Sequence, residues 1–325
     1  MLGEFDLIAD FFAPLAANCA GALGLQDDAA ILQPKAGRDL VVTKDLMVAG
    51  VHFSEDDPAD LIARKLLRVN LSDLASMGAD GIGYALGFAA PPEMDIDWVQ
   101  LFCAGLAEDQ KIFNVSLIGG DTVQTPGPLT LSLTAFGDVP AGQALKRSNA
   151  KPGDLVMVSG TIGDGVLGLD IKVGKWPELS VTHQNNLRAR LQLPEPRLAL
   201  GYSLRGIAHG AADISDGLVA DLGHICTASH VGAVLDAVKI PLSEAAKAVA
   251  PMDANEFTSH LITGGDDYEL VFTIAPEDRE RVGEHSAVHG IPLTEVGQIV
   301  AGDGVKVLGA DGRPIKLVQR GYRHF

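Results

Sequence analysis

The stretch ARKLLRVNLSDLASMG, residues 63–78, repeats apolar residues at three- and four-residue spacing and ends on a glycine, the pattern of a helix with its stop signal. Leu67, Leu71 and Leu74 form one stripe, and Leu66, Val69 and Met77 form a second beside it. A helix apolar on two adjoining stripes is expected to be mostly buried. Asp73 interrupts the second stripe, one turn from Val69 and one from Met77. A carboxylate there is costly unless cations or hydrogen-bond donors meet it. An Asp paired with a nearby Arg, or held by backbone N–H groups, is the ordinary explanation. The same anomaly recurs along the rest of the chain.

Strands and helices alternate on either side. DLVVTKDLMVAGVHF (39–53) opens as a strand over Leu40–Thr43 and is expected to turn at Lys44-Asp45, with His52 on the loop that Gly50 lets bend close to a ligand. GYALGFAAP (83–91), VSLIGGDTV (115–123) and LTLSLTAFGDV (129–139) read as strands, and Ile96 to Phe113 as a helix. PAGQALKRSNAKPGD, from Pro140, is polar and rich in turn residues, a seam between domains. The expected division is 1–140 and 141–325. In the second half, DLVMVSG (154–160) is a strand and residues 174–197 are polar and irregular. AADISDGLVADLGHIC (211–226) is a strand end running into a helix, and a strand pair lies near VKVLGADGRPIKLV. The N-terminal segment MLGEFDLIADFFAPL is expected to be an amphipathic helix using Phe5, Ile8, Phe12 and Leu15.

Composition narrows the function classes. The chain has 325 residues, 47% hydrophobic and 21% charged, which fits two globular domains. A net charge of −17 argues against a nucleic-acid or anionic-membrane surface. Cys19, Cys103 and Cys226 are far apart with no CxxC pair, neither a disulfide framework nor a zinc site, and this suits a reducing cytosol. Glu4, Asp6 and Asp10 stand where a signal peptide would carry positive charge. No apolar run approaches the roughly 20 residues that span a bilayer. A cytoplasmic protein is expected.

Asp28, Asp45, Asp73, Asp121, Asp213, Asp216 and Asp266 each sit among apolar or glycine neighbours, most at a strand end or turn. Any one alone reads as a turn aspartate with a local hydrogen bond. Gly119-Gly120-Asp121 and Gly264-Gly265-Asp266 repeat one pattern, an apolar strand, two glycines and an acid. If the seven converge, repulsion raises their pKa values or demands counter-charge. The bases nearby are few: Lys44, Arg64, Lys65, Arg68 and Arg147. Divalent cations would settle the deficit, and an all-oxygen set points to Mg²⁺ or Mn²⁺ with a polyphosphate such as ATP as the third party. Ser215-Asp216-Gly217 opens a helix whose N–H groups are expected to face an anion, and Arg147 can fork to two phosphate oxygens. There is no GxxxxGK[ST]. The one GxGxxG, Gly163 to Gly168, follows a strand but leads to no second strand ending in an acid, so a Rossmann cofactor is a weak alternative.

Taken together, LQDDAAIL, TKDLMVAGVHF, VNLSDLASMGAD, LIGGDT, ALKRSNAKPGD, DISDGL, GGDDYEL and the terminal GYRHF resemble the thiamine-monophosphate kinase family, in order from the first helix to the last residue. That family is similar to aminoimidazole-ribonucleotide synthetase, selenophosphate synthetase and a hydrogenase-maturation enzyme. The resemblance implies an α/β (α+β) two-domain fold: an N-terminal ATP- and Mg-binding domain that dimerises into a β-barrel, and a C-terminal α/β domain completing the active-site cleft. It implies Mg-ATP as co-substrate and direct γ-phosphoryl transfer to thiamine monophosphate. Asp28, Thr43, Lys44, Asp45, Asp73, Asp121, Asp213 and Asp216 would hold magnesium. Gly120, Asp121, Arg147 and Ser215 would touch ATP, and His52, Asp266 and Tyr322 would face the acceptor. No side chain would act as a nucleophile; positioning and charge neutralisation by the metal site would do the catalysis.

The chain departs from the family pattern in places. Gln26 stands where relatives usually have Gly, Lys44 replaces a Thr, Asp266 stands where many carry Glu, and Gln319 is not aromatic. Lys44 either contributes its backbone carbonyl to a metal, with its side chain turned outward, or puts its ammonium where a cation would sit. Cys19-Ala20 lacks the setting of a selenophosphate synthetase, and the ending GYRHF lacks the Cys of the hydrogenase-maturation enzyme. Aminoimidazole-ribonucleotide synthetase and a non-catalytic nucleotide-binding protein are the alternatives.

Overall fold

Alternation from Leu40 to Met47 along β1 (Arg38–Val48) organises the first sheet. Leu40, Val42, Lys44 and Leu46 are exposed, whereas Val41, Thr43, Asp45 and Met47 are half-buried or buried. The computed structural model of this protein describes residues 4–249, 253–317 and 321. β1 does not turn at Lys44-Asp45, as the polar pair suggested; Lys44 and Asp45 pair in unbroken register with Thr134 and Leu133 of β4 (Thr130–Pro140). Two polar residues in a row are compatible with a strand when one faces solvent and the other has a partner.

The chain divides into two compact units, one built from residues up to Leu74 and from Ala79–Gly142, the other from Ala75–Gly78 and Gln143 onward. In the first, β1, β2 (Asp80–Ala90), β3 (Ser116–Gln124) and β4 form a sheet in the order β1-β4-β2-β3, with β2 and β3 parallel and the other pairs antiparallel. The helices Ala59–Ser76 and Ile96–Phe113 supply its buried apolar side chains, Leu66, Leu67, Leu71, Leu74, Phe102 and Leu106 among them. Tyr84, Leu86 and Phe88 of β2 are buried, and Phe88 packs against Phe12 and Phe102 with ring centroids 5.6 and 5.8 Å apart. The N-terminal segment is helical with a π-type turn over Ile8–Phe12; Phe12 and Leu15 are buried, but Phe5 is 82% exposed and takes no part in the apolar face.

In the second unit, β5 (Leu155–Ser159), β6 (Gly210–Asp213), β7 (Gly232–Asp236), β8 (Leu270–Ile274), β9 (Leu293–Val300) and β10 (Gly304–Leu308) form a mixed sheet in the order β10-β7-β9-β5-β8-β6. Both faces are covered at its centre, so β5 (LVMVS) and β8 (LVFTI) are buried throughout and read as near-continuous apolar runs. Val156, Val158 and Val271 share a core with Leu218, Leu222 and Ile225 of the Leu218–Ser229 helix. Leu155, Met157 and Phe272 share the other with Leu200, Leu204 and Val282. Residues 174–197 are not irregular: Ser180 caps a helix over Val181–Gln192, and Leu187 and Leu191 are its buried positions. Two apolar anchors on an otherwise polar helix are too few for periodicity to show.

At Gly105 the Ile96–Phe113 helix comes into backbone contact with the Ala59–Ser76 helix. A Cβ there would collide with the carbonyl oxygen of Asp60. Gly105→Ala must therefore push the helices apart, and overpacking of this kind costs about 1–3 kcal/mol. A lowered denaturant midpoint with an unchanged slope is the expected result.

Candidate active site

In the first unit, strand alternation puts Thr43 and Asp45 on the side of β1 away from the exposed Lys44. The Thr43 hydroxyl donates to Asp73 Oδ2. The Asp45 amide donates to Asn70 Oδ1 at 3.1 Å, and Asn70 Nδ2 donates to the Leu66 carbonyl at 2.9 Å. Asn70, fully buried, thus ties the strand to the helix that carries Asp73. Asp73 itself is half-buried rather than sealed in the core. Burial, and then the charge of Asp73, push the Asp45 carboxyl up to about 6. Desolvation leads, and a second acid nearby adds to it.

The ordinary fate of a buried helical acid is met at Asp109. It is fully buried and accepts from Arg64 Nε at 2.9 Å and from Arg68 Nε at 2.6 Å. Two of the few bases near the predicted site thus serve a structural ion cluster between helices. Among the other expected residues, Asp28 is exposed in the bend at 27–29, and Asp121 is exposed on the edge strand β3. Among the described residues neither is hydrogen-bonded to the Thr43–Asp73 pair. Gly120 is needed by the sheet itself, since a Cβ would strike the Leu86 carbonyl. His52 accepts the Val48 N–H on Nδ1 at 3.0 Å, which leaves the proton on Nε2.

The second unit gathers its acids at the ends of β6 and of the loop before β8. Asp213 is buried at the last residue of β6. The amides of Ser215, Asp216 and Gly217 all donate to one oxygen of Asp221, each at 3.1 Å. They are therefore not the open anion donors that a helix start suggested. A carboxylate one turn inside the helix already meets their need. Burial first, and then the charge of Asp216, push the Asp221 carboxyl up to about 7, against backbone hydrogen bonds and the charge of Arg147. Single ligand atoms of Asp216, Asp221 and His224 lie within 4.8 Å of one another. The Asp266 amide donates to the Ser215 carbonyl at 2.9 Å, and a side chain at Gly265 would strike that same carbonyl. Ser215 and Asp266 are thereby joined through the backbone.

The GxGxxG turn has no amides to offer a pyrophosphate from Gly163 or Gly165. Their N–H groups donate to Asp267 Oδ2 and Oδ1 at 2.8 and 3.0 Å. Asn70, Asp221 and Asp267 escaped the sequence reading; the available hint was an acid inside the first helical turn after DISDG and three acids crowded into GGDDYEL. Tyr322 lies outside the described residues.

Two family models match the chain: AIR synthase related protein, N-terminal domain, over residues 26–139, and AIR synthase related protein, C-terminal domain, over residues 151–309. Fold and matches together define a two-domain, mixed α/β protein of the AIR synthase related class. The thiamine-monophosphate kinase of Caulobacter vibrioides is 44% identical over 318 residues, 97% of this chain and 89% of that protein. The crystal structure of thiamine-monophosphate kinase from Stenotrophomonas maltophilia K279a is 41% identical with a TM-score of 0.85, covering 96% of this chain and 98% of that one. The structure of AaThiL complexed with AMPPCP and TMP is 27% identical with a TM-score of 0.78, covering 100% and 97%. The chain belongs to the thiamine-monophosphate kinase family.

The raised Asp45 carboxyl has a thermodynamic consequence in metal-free buffer. Its folded pKa, about 6, exceeds the unfolded value, so the folded state binds the proton more tightly. Stability then falls as pH rises from about 4 through 6. Asp45→Asn should raise the melting temperature of the metal-free protein at pH 7, and the gain should vanish below pH 4. A thermal melt series across that range measures it.

Proposed function

We propose that this chain transfers the γ-phosphoryl group of ATP directly to thiamine monophosphate, giving thiamine diphosphate. The observation that carries this reading is the 44% identity to a thiamine-monophosphate kinase across 97% of the chain. The complex of a relative with AMPPCP and TMP supports the substrate pair.

The donor set fits magnesium. Thr43, Asp45 and Asp73 offer only oxygen, and Asp45 shares its surroundings with Asp73, not with a cation that lowers its pKa. We assign Asp28, Asp45, Asp73, Asp121, Asp213 and Asp216 as ligands, with Thr43 and the Lys44 carbonyl at the same strand. Bound there, magnesium would neutralise phosphate charge in the transferring group. The Thr43 hydroxyl orients the Asp73 carboxylate, and Asn70 holds the Asp45 backbone. Gly120, Asp121, Arg147 and Ser215 hold ATP. His52 presents its Nε2–H to the acceptor phosphate, with Asp266 and Tyr322 as further contacts. The acceptor is already an anion near neutral pH and needs no strong base. Cys103 and Cys226 are buried, and burial pushes their thiols up to about 12 and about 11. Neither is suited to carry a phosphoryl group.

We also assign a homodimer and a cytoplasmic location. Leu40, Val42 and Leu46 of β1 and Val123 of β3 are each about half exposed on the first sheet, an apolar face suited to a second copy. No helix among the described residues is long and apolar enough to cross a membrane.

Incubation with Mg-ATP and thiamine monophosphate, followed by chromatography, should yield thiamine diphosphate; no product would overturn the reading. Asp73→Asn should lower kcat at least about 100-fold, the scale for losing a charge-stabilising group. Retained activity with only a lower melting temperature would make Asp73 structural. Lys44→Thr tests the adjacent question. Since Lys44 is exposed on the other face of β1, the metal count and magnesium dependence should not change. An extra bound metal would show that Lys44 had served as a built-in cation.

A further inference from the structure

Asp267 is 1% exposed and sits between two residues with left-handed backbone, Asp266 at φ +70° and Tyr268 at φ +51°. Left-handed backbone is uncommon outside Gly, Asn and Asp, so at Tyr268 in particular it persists only where the surroundings over-determine it. Here the surroundings are specific. Asp267 Oδ2 accepts the Gly163 N–H at 2.8 Å and Oδ1 accepts the Gly165 N–H at 3.0 Å. The Tyr268 amide donates to the Ile214 carbonyl at 2.8 Å. Glu269, also buried, accepts from the Ser159 hydroxyl at 2.6 Å, Arg190 at 2.9 Å and Arg197 Nε at 2.7 Å. Asp266 is left half-buried on this scaffold, its amide on the Ser215 carbonyl.

We propose that Asp267 is a positioning residue for acceptor binding: its two-amide clamp on Gly163 and Gly165 holds Asp266 in the left-handed conformation in which its amide meets the Ser215 carbonyl. The clamp is set before substrate arrives, because every bond in it lies within the loop framework of the second unit. The Ser215 side keeps a separate hold, the three amides on Asp221, so loss of the Asp267 clamp falls on the acceptor and not on ATP. The inference rests on the reading of Asp266 as an acceptor contact.

Asp267→Asn keeps the shape but turns an NH₂ toward one glycine N–H, breaking half the clamp. The expected result is a rise of about tenfold or more in the KM for thiamine monophosphate, the scale for losing an outer support, with the KM for ATP within about twofold. In an Asp266→Asn background, the same change should add nothing further. An unchanged acceptor KM, equal rises for both substrates, or a full additional loss on top of Asp266→Asn would each overturn the proposal. If wild type makes no thiamine diphosphate, or Asp266→Asn leaves the acceptor KM unchanged, the acceptor reading itself has failed and takes this inference with it. Hydrogen exchange on the wild-type protein gives a check that needs no variant. The Gly163 and Gly165 amides should be protected equally with and without thiamine monophosphate, and protection that appears only with it would overturn the pre-set clamp.

Discussion

Backbone amides gripped by buried carboxylates hold the loops of the second unit. Asp221 takes three N–H groups on one oxygen, and Asp267 takes two on separate oxygens. A loop that approaches another loop closely leaves amides with no strand or helix to bond, and unsatisfied amides in a dry place are expensive. A carboxylate inserted from the next turn satisfies several at once. The same arrangement brings negative charge into the region, so burial drives both carboxyls upward, to about 7 for Asp221 and about 8 for Asp267. Near neutral pH a retained proton therefore offsets much of that charge before any ligand is considered.

The acidic composition resolves into two populations with different physics. Asp109, Asp170 and Glu269 are structural: Arg64 and Arg68 meet Asp109, Lys175 and His260 meet Asp170 at 2.8 and 2.7 Å, and Arg190 meets Glu269. Removing one partner from such a cluster is strongly destabilising, because it strands a buried charge. Asp45 differs. Burial, and then the charge of Asp73, raise its pKa. A net charge of −17 is thus partly framework and partly a set of oxygens suited to cations and their phosphates.

In the first unit, the same economy of structure appears in Asn70. One amide side chain accepts from β1 and donates within its own helix. Strand and helix are fixed together at the point where Thr43, Asp45 and Asp73 meet. On the other face of the sheet Leu40, Val42 and Leu46 stand half exposed beside the exposed Lys44.

Much of this was legible in the order of residues alone. The Ile96–Phe113 helix, the strands around LIGGDT and the buried helix around Asp73 follow from apolar periodicity, since burying one face requires it. The aspartates declared themselves by standing where apolar residues belong. Other features were decided only by tertiary structure. Lys44-Asp45 looked like a turn until β4 paired with it, because pairing is non-local. Whether Ser215 to Gly217 offered amides to an anion depended on where one oxygen of Asp221 came to lie. Which of GGDDYEL faces outward was set by left-handed backbone at Asp266 and Tyr268, and such backbone is imposed by surrounding bonds, not by the residues that adopt it.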